Sequence, residues 1–332
     1  MNILQNKIGI FKYSPLIYLK MNTITVRYWG GMGNVLFQIA AAIAYSNKLN
    51  RSFVLSKYPA FPNLENCSAL SIGIAEEEYL ESLIEFKEDD ISNDTPFPVN
   101  QNIKLIGFFQ DYRLFDEYKE QLFTITGIPV IRQLVLPIIE LPAFVTRGLF
   151  QKNTESDTEI TVSLHIRRGD YEELACYFLL LNQYYYKNAL LHIANRLLCD
   201  GNNKKIKILC FYEKKTTASC RKVIDALLSD QELAKYPFEF HHFNELIEEN
   251  LNRSVTDIEE LAIMSQCKHH IIANSTYSWW SAYINPDPSK IVCYPNEYFN
   301  HQLYYLVNDG LKVKEWTSIE AWNPLELRCA CL

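Results

Sequence analysis

Long hydrophobic runs are missing from this sequence of 332 residues. No segment approaches the roughly 18 to 20 consecutive apolar residues that a helix needs to cross a bilayer. Residues 1–20 are mildly apolar, but three lysines and Pro15 interrupt them, and no small-residue cleavage site follows. We therefore expect neither a transmembrane segment nor a signal peptide. We interpret residues 1–20 as an appendage outside the first core, with Met21 as an alternative start.

No C-x-x-C pair occurs, although the sequence holds nine cysteines. They are Cys67, Cys176, Cys199, Cys210, Cys220, Cys267, Cys293, Cys329 and Cys331. An odd number of scattered cysteines is typical of reduced thiols in an intracellular protein, and it argues against a disulfide framework or a zinc site. Together with the lack of a membrane span, this pattern predicts a soluble, cytoplasmic protein.

Basic charge is also scarce, since 32 lysines and arginines face 39 aspartates and glutamates, for a formal net charge of -7. This balance argues against a nucleic-acid partner, which would favour a basic surface. Any phosphate ligand must then be held by a local cationic site, because the overall field of the protein repels anions.

What is present is a regular alternation of strand and helix patterns. The predicted strands are 24–29, 52–55, 103–110, 161–167, 206–212, 238–243, 269–274 and 290–295. The predicted helices are 34–47, 184–199, 217–228, 257–267 and 277–284. Apolar strands that alternate with helices predict an α/β fold whose parallel sheets are covered on both faces.

Two units follow from the breaks in this pattern. The segment 126–160 carries three prolines and a polar stretch, so we interpret it as the crossing between residues 21–157 and 158–332. The acidic stretch 85–90 indicates loops and short helices. Two such units in series leave a cleft between them, and ligands of open α/β sheets bind outside the carboxyl ends of the strands.

The most informative motif is a strand that ends in adjacent charges. The alternation places Val162, Leu164 and Ile166 on one face and Ser163, His165 and Arg167 on the other. Gly169 permits a tight turn, which brings Asp170 back towards the strand end. Arginine suits a bidentate grip on phosphate, so Arg167 and Arg168 are candidate anion ligands. The structural alternative is an arginine–aspartate pair that stiffens the turn.

Two further loops fall at strand ends. Gly30–Asn34 lies between a strand and a helix, where glycines let the backbone approach a ligand and the helix N-terminus favours anions. It matches neither G-x-G-x-x-G nor a P-loop, and Asn34 is equally suited to a plain N-cap. In 274–278, hydroxyls precede a helix and can either cap it or bind phosphate. We expect the following Trp279 and Trp280 to pack in the core.

Four motifs in this order and spacing resemble the α-1,2-fucosyltransferases of glycosyltransferase family 11. They are GGMGNVLFQIA, LIGFFQDYRLF, VSLHIRRGDY and ELAIMSQCKHHIIANSTYSWWSAYIN. The resemblance covers about 24–300. It implies a GT-B fold, with two Rossmann-like domains and the donor site in the cleft between them. It also implies GDP-fucose as donor, inversion at the anomeric carbon, no metal or other cofactor, an acceptor side in the first domain and a donor side in the second.

The resemblance also assigns site residues. Arg167 and Arg168 would hold the pyrophosphate, with His165 and Asp170 completing that site. The nucleotide pocket would be lined by Asn274, Ser275, Thr276 and Ser278, and the first domain would face the donor with Gly31, Gly33 and Asn34. The chain departs from the family pattern at Val35, Glu260, Lys214 and Lys215. Glu260 stands where the family usually has aspartate, and either a reach to the nucleotide or a solvated helix face fits it.

From these residues we expect transfer of L-fucose to a glycan acceptor, at the 2-hydroxyl in an α-1,2 linkage. Arg167 is the expected dominant catalytic residue, and Arg168 either assists it or is structurally paired. Asp170 is the favoured base, with Glu172 and Asp111 as alternatives. No D-x-D pair is present to hold a metal, and His269-His270 opens an apolar strand, as structural histidines do.

Two other functions fit the same pattern. One is a transferase of the same fold that uses another GDP-sugar or modifies protein hydroxyls. The other is a catalytically silent protein that binds a sugar nucleotide or a glycan. The oligomeric state does not follow from the sequence.

Overall fold

The computed structural model describes residues 22–61, 73–74, 83–92, 95–150, 159–198, 204–300 and 309–323. The appendage predicted over 1–20 lies outside them. The strands are β1 (Thr23–Val26), β2 (Ser52–Leu55), β3 (Gly73–Ile74), β4 (Ile84–Lys87), β5 (Ile103–Ile106), β6 (Glu159–His165), β7 (Lys205–Phe211), β8 (Phe238–His242), β9 (His269–Ile271), β10 (Val292–Pro295) and β11 (Thr317–Ile319).

The α-helices vary from one turn to seventeen residues. They are α1 (Met32–Lys48), α2 (Glu88–Ser92), α3 (Lys119–Thr126), α4 (Ile128–Leu134), α5 (Leu136–Ile139), α6 (Pro142–Val145), α7 (Asp170–Glu173), α8 (Gln183–Leu197), α9 (Thr217–Leu228), α10 (Phe243–Asn250), α11 (Asp257–Met264) and α12 (Thr276–Tyr283). Short 3₁₀ turns include Tyr112–Leu114 and Asp116–Tyr118.

The first sheet is parallel and has the order β3-β2-β1-β5-β4. In its centre, Ile24 is in register with both Phe53 and Ile103, and Val26 with Leu105. The order reverses beside β1, because the chain first moves out to β2 and β3 and later returns to the other flank. The carboxyl ends of β1 and β5 therefore border the point at which such sheets bind ligands.

The second sheet is also parallel and has the order β11-β10-β9-β6-β7-β8. Counted from β6 as the first strand, this is the 3-2-1-4-5-6 order of a Rossmann sheet. Val162 of β6 is in register with Ile208 on one side and His269 on the other. The chain is thus an α/β protein with two Rossmann-like sheets, the GT-B architecture that the sequence predicts. The charged end of β6 lies at the switch point of the second sheet.

A mixed helical layer joins the two sheets. α1 is buried along most of its length because it packs on β1 and β2 on one side and on α12 on the other. The ring of Phe37 lies 4.8 Å from the rings of both Trp279 and Trp280, which are fully buried. The prediction that the tandem tryptophans pack in the core is confirmed.

Each predicted strand and helix has a counterpart, but several other elements went unrecognised. The acidic stretch 85–90 contributes to strand β4 as well as to helix α2. The crossing segment forms α4, α5 and α6, in which the prolines occupy the first turn. Proline is tolerated there, since the first N–H groups of a helix have no intrahelical partner.

Among the described residues, no single helix is long and apolar enough to cross a membrane. The helical segments Asp116–Thr126 and Ile128–Ile139 meet the length and composition criteria only as a pair, and they are bent by 55°.

Candidate active site

The carboxyl ends of β1, β5, β6 and β9 open into one cleft between the two sheets. Its volume is about 1590 Å³. Most of the predicted site residues line it: Gly31, Gly33, Asn34, Asp111, His165, Arg167, Asp170, Glu260, Asn274, Ser275 and Thr276. Three predicted residues are absent from its lining, namely Arg168, Glu172 and Ser278.

Arg167 projects into the cleft two residues after β6 and is held by two carboxylates. Its guanidinium donates to Glu213 Oε1 at 2.6 Å and to Asp170 Oδ1 at 2.5 Å. Its Nε is buried and has no partner in the described part of the chain. Gly169 has φ +73°, which produces the predicted turn and brings Asp170 back to the arginine. The two carboxylates fix the direction of the guanidinium and leave its Nε–H free to donate to a ligand.

His165 lies at the end of β6 and is buried, with its ring 5.8 Å from that of Tyr277. Burial, aided by the nearby positive charge of Arg167, lowers the pKa of His165 to about 3. The imidazole is therefore neutral near pH 7, and its Nδ1 has no partner among the described residues. A neutral ring that borders the cleft can donate or accept one hydrogen bond from a ligand.

Arg168 does not support the predicted contact with a pyrophosphate. Its side chain is buried, and the guanidinium donates to the carbonyls of Leu181 at 2.8 Å and Arg167 at 3.0 Å. Glu172 lies 3.8 Å from its Nε. Adjacent residues at a strand end point to opposite sides, so one arginine faces the cleft and the other ties the loop that precedes α8. Arg168 therefore has a structural role through backbone carbonyls, whereas the arginine–aspartate pair across the turn is formed by Arg167 and Asp170.

Asn34 connects the two sides of the cleft. Its Oδ1 accepts from Thr276 Oγ1 at 2.9 Å and from Gln110 Nε2 at 3.0 Å. The N-cap of α1 is Gly31, which offers no side chain, so the N-cap interpretation of Asn34 is wrong. The N-terminus of a seventeen-residue helix thus faces the cleft without a capping side chain, and such an end attracts anions.

Gly33 permits the contact between α1 and α12. A Cβ at this position would lie 2.6 Å from the backbone carbon of Thr276, whereas a Cβ at Gly31 would meet nothing within 4 Å. Trp280 Nε1 also donates to the Gly33 carbonyl at 2.8 Å. Gly33 therefore allows α1 and α12 to pack closely, whereas Gly31 leaves its backbone open to the cleft.

This difference predicts unequal outcomes for two alanine variants. Gly33→Ala should destabilise the protein by about 1–3 kcal/mol, because the collision is with backbone that cannot turn away. Gly31→Ala should cost less, about 0.5–1 kcal/mol, because its φ of -76° suits alanine and nothing blocks the new Cβ, although alanine is a poorer N-cap than glycine. Urea unfolding followed by circular dichroism measures both. Equal midpoints for the two variants would show that α1 and α12 are not in close contact.

The hydroxyl loop before α12 combines capping with access to the cleft. Ser275 is the N-cap and accepts from the N–H of Tyr277 at 3.3 Å. Ser278 is fully buried, and its Oγ accepts from the N–H of Ala273 at 3.2 Å, so it supports the loop from behind. The amide of Asn274 donates to two carbonyls, at 2.8 Å each, that belong to neighbouring loops. Of the hydroxyl residues in this loop, Ser275 and Thr276 line the cleft and can therefore bind a ligand there.

Glu260 faces the cleft from α11 and receives a long hydrogen bond from Tyr277, at 3.4 Å. Burial, together with the negative charge of Asp257, raises the pKa of Glu260 to about 7. A carboxyl group of this kind exchanges its proton in the neutral range, unlike an ordinary surface glutamate. The alternative of a solvated helix face therefore does not apply to it.

Three supporting residues escaped the sequence analysis. Glu213 follows β7, the neighbour of β6, so its place at a strand end was a usable signal. Gln38 is fully buried in α1, and its amide bonds to both Trp29 and Gly107. Glu88 accepts from two backbone N–H groups after β5. The sequence gives no signal for Gln38 or Glu88. Their hydrogen-bond partners lie in loops that come close to them only after the chain has folded.

His270 is a structural residue, as predicted. Its Nδ1 lies 2.8 Å from Ser163 Oγ and its Nε2 lies 2.9 Å from Asn285 Nδ2. Among the described residues, no group of three or more histidine, cysteine, aspartate or glutamate side chains has the arrangement of a metal site.

The chain is similar to known glycosyltransferases. The family model for glycosyl transferase family 11 matches residues 138–320. An α-1,2-colitosyltransferase of Escherichia coli is 26% identical over 327 residues, which cover 85% of this chain and 94% of that protein. The O-antigen biosynthesis glycosyltransferase WbnK of Escherichia coli is 27% identical over 224 residues, or 65% of this chain and 62% of that protein.

Among solved structures, the fucosyltransferase NodZ from Bradyrhizobium is 12% identical, with a TM-score of 0.44 over 80% of this chain and 94% of that chain. The family match covers more than half of the chain, and within it lie Arg167, the two carboxylates that hold it and the hydroxyl loop. The chain therefore belongs to glycosyl transferase family 11.

Proposed function

We propose that this glycosyltransferase transfers L-fucose from GDP-fucose to the 2-hydroxyl of a glycan acceptor, with inversion and without a metal. One observation carries the proposal: the guanidinium of Arg167, with its Nε unpartnered, lies in the same cleft as the uncapped N-terminus of α1. A guanidinium and a helix N-terminus are two of the groups by which proteins hold a diphosphate without a metal. In this proposal residues 158–332 bind the donor and 21–157 the acceptor.

The chemistry places the strongest demand on Arg167. The bond from C1 of fucose to the β-phosphate oxygen breaks, and a bond from C1 to the acceptor oxygen forms on the opposite face. Negative charge grows on the leaving GDP, and the acceptor hydroxyl gives up its proton to a base. Donors that are already in position where this charge develops lower the barrier most, because they need no reorganisation. Arg167 has this property, since Asp170 and Glu213 hold its direction.

Two of the three candidate bases, Asp170 and Asp111, line the cleft, whereas Glu172 does not, and we propose Asp111 because Asp170 orients Arg167. Asp170 is engaged by Arg167, and Asp111 by both the Nε and the NH2 groups of Arg113, at 2.8 and 2.7 Å. We expect Asp170→Asn to lower turnover while it keeps the acidic limb of the pH–rate profile, since this carboxylate orients Arg167. Asp111→Asn should lose that limb. The reverse pattern would make Asp170 the base.

Glu260 gives a pH dependence to donor binding. We expect its ionised carboxylate to accept hydrogen bonds from N–H groups of the guanine base, so GDP-fucose should bind more tightly above pH 7 than below it. The sign follows because a raised pKa keeps Glu260 protonated, and poor as an acceptor, at lower pH. Calorimetric titration at pH 6 and pH 8 measures the difference. Glu260→Gln should bind equally at both values, and an undiminished pH dependence in this variant would point to another group.

Colitose is the second candidate sugar, because the relative that covers most of this chain is named as a colitosyltransferase. Colitose is L-fucose without its 3-hydroxyl, so the same anion site would serve both donors. A site built to bond the 3-hydroxyl would discriminate strongly against the sugar that lacks it. Comparison of kcat/KM for the GDP derivatives of fucose, colitose and mannose therefore tests the choice.

The experiment that tests the proposed function is a donor and acceptor panel with the purified protein. Transfer from GDP-fucose to a β-galactoside should give an α-1,2 product and should persist in EDTA. Selective transfer from another GDP-sugar, or onto a protein hydroxyl, would replace the proposed substrates. Binding of GDP-fucose with neither hydrolysis nor transfer would instead support a catalytically silent binding protein.

A further inference from the structure

Two exposed aromatic side chains stand at the first-sheet side of the cleft, and the donor site makes no use of them. Trp29 is 56% exposed and Phe108 is 41% exposed. They follow neighbouring strands, and each lies three residues beyond the register pair of Val26 and Leu105. Phe108 lines the cleft, whereas Trp29 directly precedes Gly30, the first residue of the chain that lines it. Exposed aromatics bordered by polar groups are typical of a binding surface.

One buried amide holds both aromatic loops. The side chain of Gln38 accepts from the N–H of Trp29 at 2.9 Å through Oε1. Its Nε2 donates to the carbonyls of Trp29 at 3.1 Å and Gly107 at 3.2 Å. The guanidinium carbon of Arg27 lies 5.4 Å from the centre of the Trp29 ring. The backbones of the two loops that carry Trp29 and Phe108 are thus held together by a side chain that no solvent reaches.

The backbone after β5 is strained in a way that exposes Phe108. Phe109 has φ +52°, a conformation that costs a bulky residue about 1–3 kcal/mol. The Glu88 carboxylate stabilises it by accepting the N–H groups of Phe108 at 2.8 Å and Phe109 at 3.0 Å. The result is that Phe109 is buried in the core while Phe108 faces the cleft. Strain of this kind persists where the surrounding structure enforces it, and it is concentrated at functional sites.

The polar groups beside Phe108 favour a neutral, hydroxyl-rich ligand. Asp89, Gln110 and Asp111 line the same part of the cleft. Carboxylates repel a diphosphate but accept hydrogen bonds from hydroxyl groups. A pyranose ring offers an apolar C–H face to an aromatic ring and hydroxyls to the carboxylates. The cleft of about 1590 Å³ also exceeds the roughly 300–1,000 Å³ of a site for one small ligand, so it can hold two substrates.

We propose that Trp29 and Phe108 form a platform on which a pyranose ring of the acceptor packs, with Asp89 and Asp111 accepting hydrogen bonds from its hydroxyls. This inference rests on the proposed function, because it treats the second occupant of the cleft as the acceptor. It identifies the acceptor as an uncharged sugar with one flat apolar face, and it places that sugar opposite the anion site of Arg167.

Binding can be measured without turnover, because Trp29 is its own probe. Of the other four tryptophans, Trp279 and Trp280 are fully buried, Trp316 is 9% exposed and Trp322 is half-buried. Titration with methyl β-D-galactoside, lactose and N-acetyllactosamine should change the tryptophan emission, and Trp29→Phe should abolish that change. A wild-type protein whose emission responds to none of these sugars would overturn the platform.

Kinetics give the second measurement. Trp29→Ala and Phe108→Ala should each raise the acceptor KM by about tenfold, the effect expected from the loss of one aromatic contact. The KM for GDP-fucose and the rate of donor hydrolysis should stay within about twofold of the wild type, because donor affinity depends on other groups. Leu228→Ala is the control, since Leu228 is equally exposed at 56% but lies at the end of α9, away from the loops that follow β1 and β5.

An unchanged acceptor KM in both aromatic variants would refute the proposal. A sugar response that depends on Trp29, in a protein that consumes no GDP-fucose, would keep the platform and reject the donor assignment. The acceptor platform and the donor assignment would therefore be refuted by different results.

Discussion

Arg167→Ala should lower turnover of GDP-fucose by about 10²- to 10³-fold, the usual cost of removing one preorganised donor from a developing anion. The loss has two parts that act in the same direction. The leaving diphosphate loses its guanidinium, and the carboxylates of Asp170 and Glu213, which lie 2.5 and 2.6 Å from the Arg167 guanidinium, lose this partner beside it, although Glu213 keeps its ion pair with Lys215. The rates of donor hydrolysis and of transfer, both measured as the GDP released at stopped time points, give the size of this loss.

Three companion variants separate these contributions. Arg167→Lys keeps the charge but loses the planar fork, so its turnover should fall between those of the wild type and Arg167→Ala. Arg167→Ala combined with Glu213→Gln should recover part of the loss, because one repelling charge is removed. Arg221→Ala is the control, since Arg221 pairs with Glu245 outside the cleft lining. Near-normal transfer by a folded Arg167→Ala protein would refute the assignment.

Trp280→Ala should lower the free energy of unfolding by about 3–5 kcal/mol, the range for removal of a large buried aromatic side chain. The Trp280 ring is fully buried and stacks on Phe115 at 5.4 Å with an interplanar angle of 20°. Its Nε1 also bonds to the carbonyl of Gly33 across the contact between α1 and α12. Phe115 and Gly33 belong to the first unit and Trp280 to the second, so both contacts hold the two units together. Their loss should therefore also make the cleft between the sheets less rigid.

Matched tryptophan variants give the control for this prediction. Trp280→Phe keeps most of the packing and removes the hydrogen bond, so its cost should be nearer 1–2 kcal/mol. Trp29→Ala should leave stability within about 0.5 kcal/mol, because Trp29 is 56% exposed. Urea unfolding followed by fluorescence and by circular dichroism measures all three. Equal stability of Trp280→Ala and Trp29→Ala would show that the junction does not depend on this ring.

The fold class was predictable because its signal is local. Strands such as β6 and β7 are apolar and bounded by turns, and helices such as α1 place buried residues at helical spacing. The helices of the segment 126–160 were not predicted. Its prolines lie at the first turns of α4, α5 and α6, where the sequence pattern for a loop and for a helix start is similar.

The predicted strands extended too far at their carboxyl ends. The predictions ran to residues 29, 110, 167 and 274, whereas β1, β5, β6 and β9 end at 26, 106, 165 and 271. The additional residues are those that leave the sheet to line the cleft or to support its loops. Their apolar and β-branched character continues the strand pattern, and only the loss of a hydrogen-bonded neighbour shows where the sheet stops.

The sequence by itself determined that the protein is α/β, that three loops rich in glycine, arginine and hydroxyl groups lie at strand ends, and that the motifs are those of one transferase family. Only the tertiary structure decided which of the adjacent arginines faces the cleft. Arg168 is turned away because Leu181, thirteen residues later, offers a carbonyl to it. Asn34 likewise meets Thr276 across 242 positions. Alternation and composition act over a few residues, whereas the partners that fix these side chains are brought together only when both sheets have formed.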